Sequence, residues 1–136
     1  MKDDAITVSE LVKLVTNFRD ERGWDKFHAP RNLATSIVLE SSELLELFQW
    51  DMKAFSAAQI KKDKARMEEI KKEMADIIIY CLSLADILGI NVSDSISKKF
   101  EHNAKKYPVK HFNKIRQDLK YYKKIKAKYR SNKKIK

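Results

Sequence analysis

LATSIVLESSELLELF, residues 33–48, decides the fold, and ARMEEIKKEMADIIIYCLSLADIL, residues 65–88, repeats its pattern. Each is a long apolar-periodic run carrying two acids three residues apart, Glu40 with Glu43 and Glu73 with Asp76. At about 100° per residue, Leu33, Ile37, Leu44, Leu47 and Phe48 share one arc of a helix. Glu40 lands in the middle of that arc and Glu43 at its edge, while Glu46 points away. In the second run Glu73 falls among Ile77, Tyr80 and Leu84, and Asp76 falls beside Ile87. Carboxylates on the buried side of a helix are costly unless they are paired or bound to a metal. Four converging oxygen ligands suit a hard divalent cation such as Mg²⁺. Two plainer readings compete: a solvated acidic face, and salt bridges to Lys or Arg turned toward the core. The placement of both pairs on the apolar arcs of two neighbouring helices favours the metal.

Around these runs the composition is that of one small helical domain. The chain has 136 residues, 43% of them apolar, with two Gly and two Pro. No stretch approaches the roughly 18 uninterrupted apolar residues of a membrane helix. The opening MKDDAITVSE is polar and acidic, unlike a secretory signal. Cys81 is the single cysteine, so no internal disulfide is expected, and a reducing cytoplasm is the default compartment. Its neighbours Ile78, Ile79 and Leu82 suggest a small buried hydrophobe rather than a reactive thiol.

The net charge of +10 is unevenly spread. Residues 113–136 hold 11 Lys and Arg against one acid, Asp118, which accounts for all of it. The body, 1–112, is then neutral overall, with 18 basic and 18 acidic groups. A division into a domain over 1–112 and a basic tail over 113–136 follows.

A first helix is expected over Val8–Glu21, opened by a Thr7-x-x-Glu10 capping box and carrying Leu11, Leu14, Val15 and Phe18 as its stripe. Gly23–Pro30 interrupts it. A second helix covers Pro30–Trp50, with proline in its first turn. The polar link Asp51–Lys64 has room for a short helix over Ala54–Lys62. A third long helix spans Ala65–Leu88 and stops at Gly89. Asn91 or Ser93 opens a fourth, which ends before Pro108 because the residue preceding proline disfavours α geometry. The second and third long helices are apolar on more than one side, through Ile37, Val38, Leu39, Leu44, Leu45 and Leu47 on one and Ile77, Ile78, Ile79 and Leu82 on the other. A single bundle needs one buried stripe per helix. The surplus points to a homo-oligomer, dimer or tetramer.

Four motif blocks in order carry a family resemblance. They are Phe27-His28-x-Pro30-Arg31-Asn32-Leu33; Leu39-Glu40-x-x-Glu43-Leu44-x-Glu46-Leu47-Phe48-Gln49-Trp50; Glu73-x-x-Asp76-Ile77-x-Ile79-Tyr80; and Lys99-x-x-x-Asn103-x-x-x-Tyr107-Pro108. Together the blocks resemble the MazG-like all-α nucleotide pyrophosphohydrolases, and within them the dCTP-pyrophosphatase type. The resemblance covers roughly 18–109. It implies a MazG-like four-helix bundle, assembled as a homo-oligomer and extended here by a basic C-terminal segment. It also implies hydrolysis of a nucleoside triphosphate to monophosphate and pyrophosphate, in pool control or house-cleaning. Glu40, Glu43, Glu73 and Asp76 would hold Mg²⁺, or Mn²⁺ in its place, and carry the catalysis.

The substrate-binding residues expected from these blocks fall into two groups. Lys99, Asn103 and Lys106 recur at spacings of four and three, a face suited to phosphates. Tyr107 and Tyr80 can each donate to a phosphate oxygen. Ordinary solvated lysines, and a core aromatic at Tyr80, are the alternatives. A base needs stacking faces and a few polar groups on its edge, and His28, Asn32 and Trp50 supply them, with Trp24 and Phe27 as further aromatics that equally could pack the loop. A compact site built by His28 and Trp50 favours a pyrimidine such as dCTP.

The basic tail departs from the family pattern. Lysines interleaved with Tyr121, Tyr122 and Tyr129 can bind nucleic acid through phosphate neutralisation and stacking, the alternative function to be weighed against the enzyme. A solubilising extension is the plainer reading. A third is a helix folded back through Phe112, Ile115, Leu119, Tyr122 and Ile125.

Overall fold

In a computed structural model the described residues are 2–50, 56–109 and 119–131. They form helices and no strands, as the periodicity requires. The helices are α1 (Val8–Asp20), α2 (Pro30–Gln49), α3 (Ala57–Ile60), α4 (Lys64–Ile87), α5 (Val92–Lys106) and α6 (Leu119–Ser131), with a 3-10 turn over Asp25–Phe27. The expected short helix in the polar link contracts to α3, and residues 51–55 of that link lie outside the described residues, as do 110–118.

Local chemistry sets the helix ends. The Thr7 hydroxyl accepts from Glu10 N–H at 3.2 Å while the Glu10 carboxylate accepts from Thr7 N–H at 2.7 Å, the reciprocal capping box. Asp63 caps α4 by accepting from Arg66 N–H at 3.0 Å, a cap the hydrophobic pattern did not single out. At the far end Gly89 takes φ +62°, and Ile90 N–H donates to Ala85 C=O at 2.8 Å. A side chain at this left-handed position would be strained, so glycine is what lets the chain turn back and satisfy the last carbonyls.

The chain divides into two compact units, 1–92 and 93–136. The division falls ahead of the 112/113 junction expected from charge, and groups α5 with the basic segment. In the first unit α2 lies against α4, α1 packs on α4, and α3 touches α4. The core is small: Leu33, 1% exposed, with Ile70, Leu82 and Ala85. On α2 the half-buried residues Ile37, Glu40, Leu44, Leu47 and Phe48 follow Leu33 along the arc expected from sequence. Arg19 joins α1 to α4: its guanidinium donates to Asp20 at 2.6 Å and to Asp86 at 2.9 Å, with the side chain 10% exposed.

Cys81 corrects the sequence reading. It is exposed, not buried. Met74, Ile78 and Cys81 lie at spacings of four and three on the outward face of α4, so apolar neighbours in sequence did not report the direction of the thiol. Val38, Leu39 and Leu45 on α2 are likewise exposed, the surplus apolar surface anticipated above.

In the second unit α6 lies on α5. Tyr122 stacks on Tyr107 with centroids 5.8 Å apart and rings inclined by 19°. Tyr129 meets His102 edge to face at 5.6 Å, and the Lys106 ammonium sits 4.6 Å from the Tyr129 ring centre. Of the stripe proposed for a folded-back helix, Tyr122 is seen in this contact and Ile125 is half-buried, while Phe112 and Ile115 lie outside the described residues.

Candidate metal centre and cavity

Glu40 from α2 and Glu73 and Asp76 from α4 each bring a carboxylate oxygen to within 4.8 Å of the others, all three half-buried. The α2–α4 packing makes this possible: both acidic faces are the faces turned toward the neighbouring helix. Among the described residues no Lys or Arg forms an ion pair with any of the three; Lys72, beside Glu73 in sequence, pairs with Glu69 at 2.8 Å. The salt-bridge reading of the acids therefore finds no support in this unit. Burial first, then the charges of Glu43, Asp76 and Glu73, pushes the Glu40 carboxyl above its ordinary range. Burial and then Glu43 and Asp76 do the same to Glu73, against a small opposing pull from Lys72. Like charges gathered without a cation are what an oxygen-ligated divalent ion relieves, so the donor set fits one. Glu43 is exposed and stands outside the trio, yet its charge reaches both Glu40 and Glu73.

Asp76 also borders a cavity of about 710 Å³ between α1, α4 and the turn that follows α1. Leu11, Val15, Phe18 and Trp24 give it a largely apolar wall; Tyr80 and His28 add polar groups. Phe18 and Trp24 meet edge to face at 5.8 Å. His28 Nδ1 is buried and, among the described residues, has no hydrogen-bond partner. Burial, and then the charge of Arg19, holds this imidazole below its usual pKa of 6.5, so it is neutral at pH 7. The α1 stripe reads in sequence as ordinary core. Nothing in its spacing separates a residue lining a cavity from one filling it.

The structure separates two residues that the sequence reading joined on one base. His28 precedes α2 and Trp50 follows it, and 20 helical residues span about 30 Å. One protomer therefore cannot close both rings on one base. Trp50 is 84% exposed and lies outside the cavity lining. Asn32 donates its amide to Phe27 C=O at 2.9 Å, which fastens the 3-10 turn to the start of α2. Tyr80 is half-buried and lines the cavity. Lys99, Asn103, Lys106 and Tyr107 all belong to the second unit. There Lys99 is exposed and Asn103 half-buried, while Lys106 and Tyr107 engage the tyrosines of α6.

Comparison with known proteins agrees with the motif blocks. The MazG-like family profile matches residues 35–133, a range that includes much of the basic segment. The dCTP pyrophosphatase 1 of Rattus norvegicus is 35% identical over 103 residues, 76% of this chain and 60% of that protein. The Homo sapiens protein of that name is 33% identical over 104 residues, 75% and 59% of the two lengths. This chain thus spans about 60% of the length of these relatives. A pyrophosphatase from Archaeoglobus fulgidus, known from its crystal structure, shares 40% identity at a TM-score of 0.67, covering 79% of this chain and 98% of that one. With the profile spanning most of its length and all four acids inside the matched range, the chain belongs to the MazG-like family.

Proposed function

We propose that this protein hydrolyses a nucleoside triphosphate to the monophosphate and pyrophosphate, with Mg²⁺ or Mn²⁺ held by Glu40, Glu73 and Asp76. The observation that carries the reading is the convergence of those three carboxylates at the edge of a largely apolar cavity with room for a nucleoside, with Asp76 common to both. Glu43, one turn from Glu40, would be the fourth acid of the ligand set. When bound, the cation neutralises triphosphate oxygens and supplies Lewis acidity to the attacking water. Hydrolysis between phosphates asks little covalent chemistry of the protein, so the acids act by placing charge, and the cavity by orienting the nucleoside.

The apolar wall offers Trp24 and Phe18 to the face of a base, with neutral His28 and Tyr80 as polar groups near it. A pyrimidine deoxynucleotide, dCTP or a modified relative, is the substrate we favour, following the relatives named for dCTP. Exposed apolar residues on α2 and α4, among them Val38, Leu45, Met74 and Ile78, are covered in a homo-oligomer, whose order light scattering would read.

A panel of ribo- and deoxyribonucleoside triphosphates with Mg²⁺ or Mn²⁺ tests the reading, products being resolved by chromatography. Monophosphate and pyrophosphate, fastest from a pyrimidine deoxynucleotide, are expected. Release of orthophosphate and diphosphate would contradict the reaction, and faster turnover of purines would contradict the base assignment.

A further inference from the structure

The described part of α6 carries Lys120, Lys123, Lys124, Lys126, Lys128 and Arg130 and no acid. Its two sides do different things. Tyr121, Ile125 and Tyr129, four residues apart, are half-buried, and the ring contacts of Tyr122 and Tyr129 with Tyr107 and His102 hold α6 on α5. Away from that face Lys123, Lys126 and Arg130, at spacings of three and four, form an exposed ridge with Lys124 beside it, the Lys126 ammonium lying 5.5 Å from the Tyr122 ring centre. Among the described residues none of these four pairs with a carboxylate, unlike Lys98 of α5, which binds Asp94 at 2.7 Å. From Lys123 to Arg130 the ridge rises about 10 Å, which is about three base-pair rises along a duplex axis, and its long side chains extend that reach.

We propose that this ridge binds the phosphate backbone of duplex nucleic acid without reading its sequence. Two features of α6 select that partner over other polyanions. A membrane-surface helix needs a free apolar face to insert, and here Tyr121, Ile125 and Tyr129 are half-buried, with Tyr122 and Tyr129 in contact with the rings of Tyr107 and His102. Binding of single strands relies on aromatic side chains free to stack on bases, and Tyr122 and Tyr129 are already in ring contacts. What remains outward is mainly positive charge, which recognises backbone phosphate without reading sequence. The inference is independent of the proposed hydrolysis, because none of the ridge residues belongs to the acid trio or the cavity.

The test uses the full chain and a fluorescent 20-base-pair duplex of mixed sequence, followed by anisotropy in increasing salt. Three phosphate contacts predict a roughly 40-fold loss of affinity between about 50 and 200 mM salt, and four predict about 150-fold. Lys123→Gln/Lys126→Gln/Arg130→Gln should flatten that dependence and weaken binding at least about tenfold at the lower salt, with melting curve and triphosphate hydrolysis unchanged. A duplex of scrambled sequence should bind equally. Should the triple variant fold poorly, Ala127→Glu sets one negative charge on the exposed face and should weaken duplex binding alone. The proposal is overturned by no duplex binding at the lower salt, by an unaltered salt slope in the variants, by tighter binding of oligo-dT than of duplex, or by capture on phosphatidylserine vesicles without duplex binding.

Discussion

Replacing Arg19 by Met removes the charge that ties α1 to α4 while keeping most of the side-chain volume. Deleting one partner of a fully buried ion pair costs about 3–5 kcal/mol, and an exposed pair contributes about 0–1. Arg19 lies between these limits. Its own side chain is 10% exposed, but the carboxylates left behind are accessible, Asp86 at 34% and Asp20 at 56%. Water takes over both, so the cost falls to about 2 kcal/mol, most of it from the two charged hydrogen bonds. For a chain of this size that corresponds to a melting temperature lower by about 6–10 °C. Circular dichroism at pH 7 measures it. Asp86→Asn keeps an acceptor oxygen and should cost about half as much. The Arg19 charge also helps hold the His28 imidazole down, second to burial. In Arg19→Met the His28 resonance should titrate nearer its ordinary value of 6.5, though still below it because burial remains. A melting temperature unchanged by Arg19→Met, together with an unmoved His28 titration, would refute the clamp.

Leu33→Ala should destabilise by about 2.7–5 kcal/mol in denaturant melts, since the side chain is almost fully enclosed where α2 meets α4. Leu45→Ala, on the exposed side of the same helix, should cost the isolated protomer far less, so the pair measures which face is core. The metal-free protein should also show a pH signature from Glu40. Its folded-state pKa is raised above the ordinary 4.5, so its contribution to stability is present below that value and is lost as pH rises through the folded pKa. Glu40→Gln should therefore melt higher than wild type without metal, by a margin that grows above pH 4.5 and then levels. A margin independent of pH would argue against repulsion within the acid cluster.

Period alone pointed to four acids, of which the structure gathers Glu40, Glu73 and Asp76. Glu40 and Glu73 stand on arcs defined by Leu33, Ile37, Ile77 and Tyr80, and two helices that bury those arcs against each other must bring the acids together. The turn at Gly89 and the cap at Thr7 were equally legible, because each depends on residues within one turn of the chain. What period could not give was distance beyond one helix. His28 and Trp50 belong to neighbouring motif blocks, yet the length of α2 keeps them apart. Cys81 shows a related limit: on a helix apolar nearly all round, neighbours in sequence do not say which side faces the core. The cavity was hidden for a third reason. Leu11, Val15 and Phe18 make the same stripe whether α4 fills the space beside them or leaves it open. Likewise Tyr107 and Lys106 are met by α6 in space, although more than a dozen residues of chain separate α5 from their partner rings.

The central claim is that Glu40, Glu73 and Asp76 hold a divalent cation. Titration of the metal-free protein with Mn²⁺, with free ion counted by electron paramagnetic resonance, tests it without reference to any substrate. One Mn²⁺ site per protomer is expected in wild type, competed by Mg²⁺ and lost in both Glu40→Gln and Glu73→Gln, with both variants still folded. Unchanged Mn²⁺ affinity in the two folded variants would contradict it.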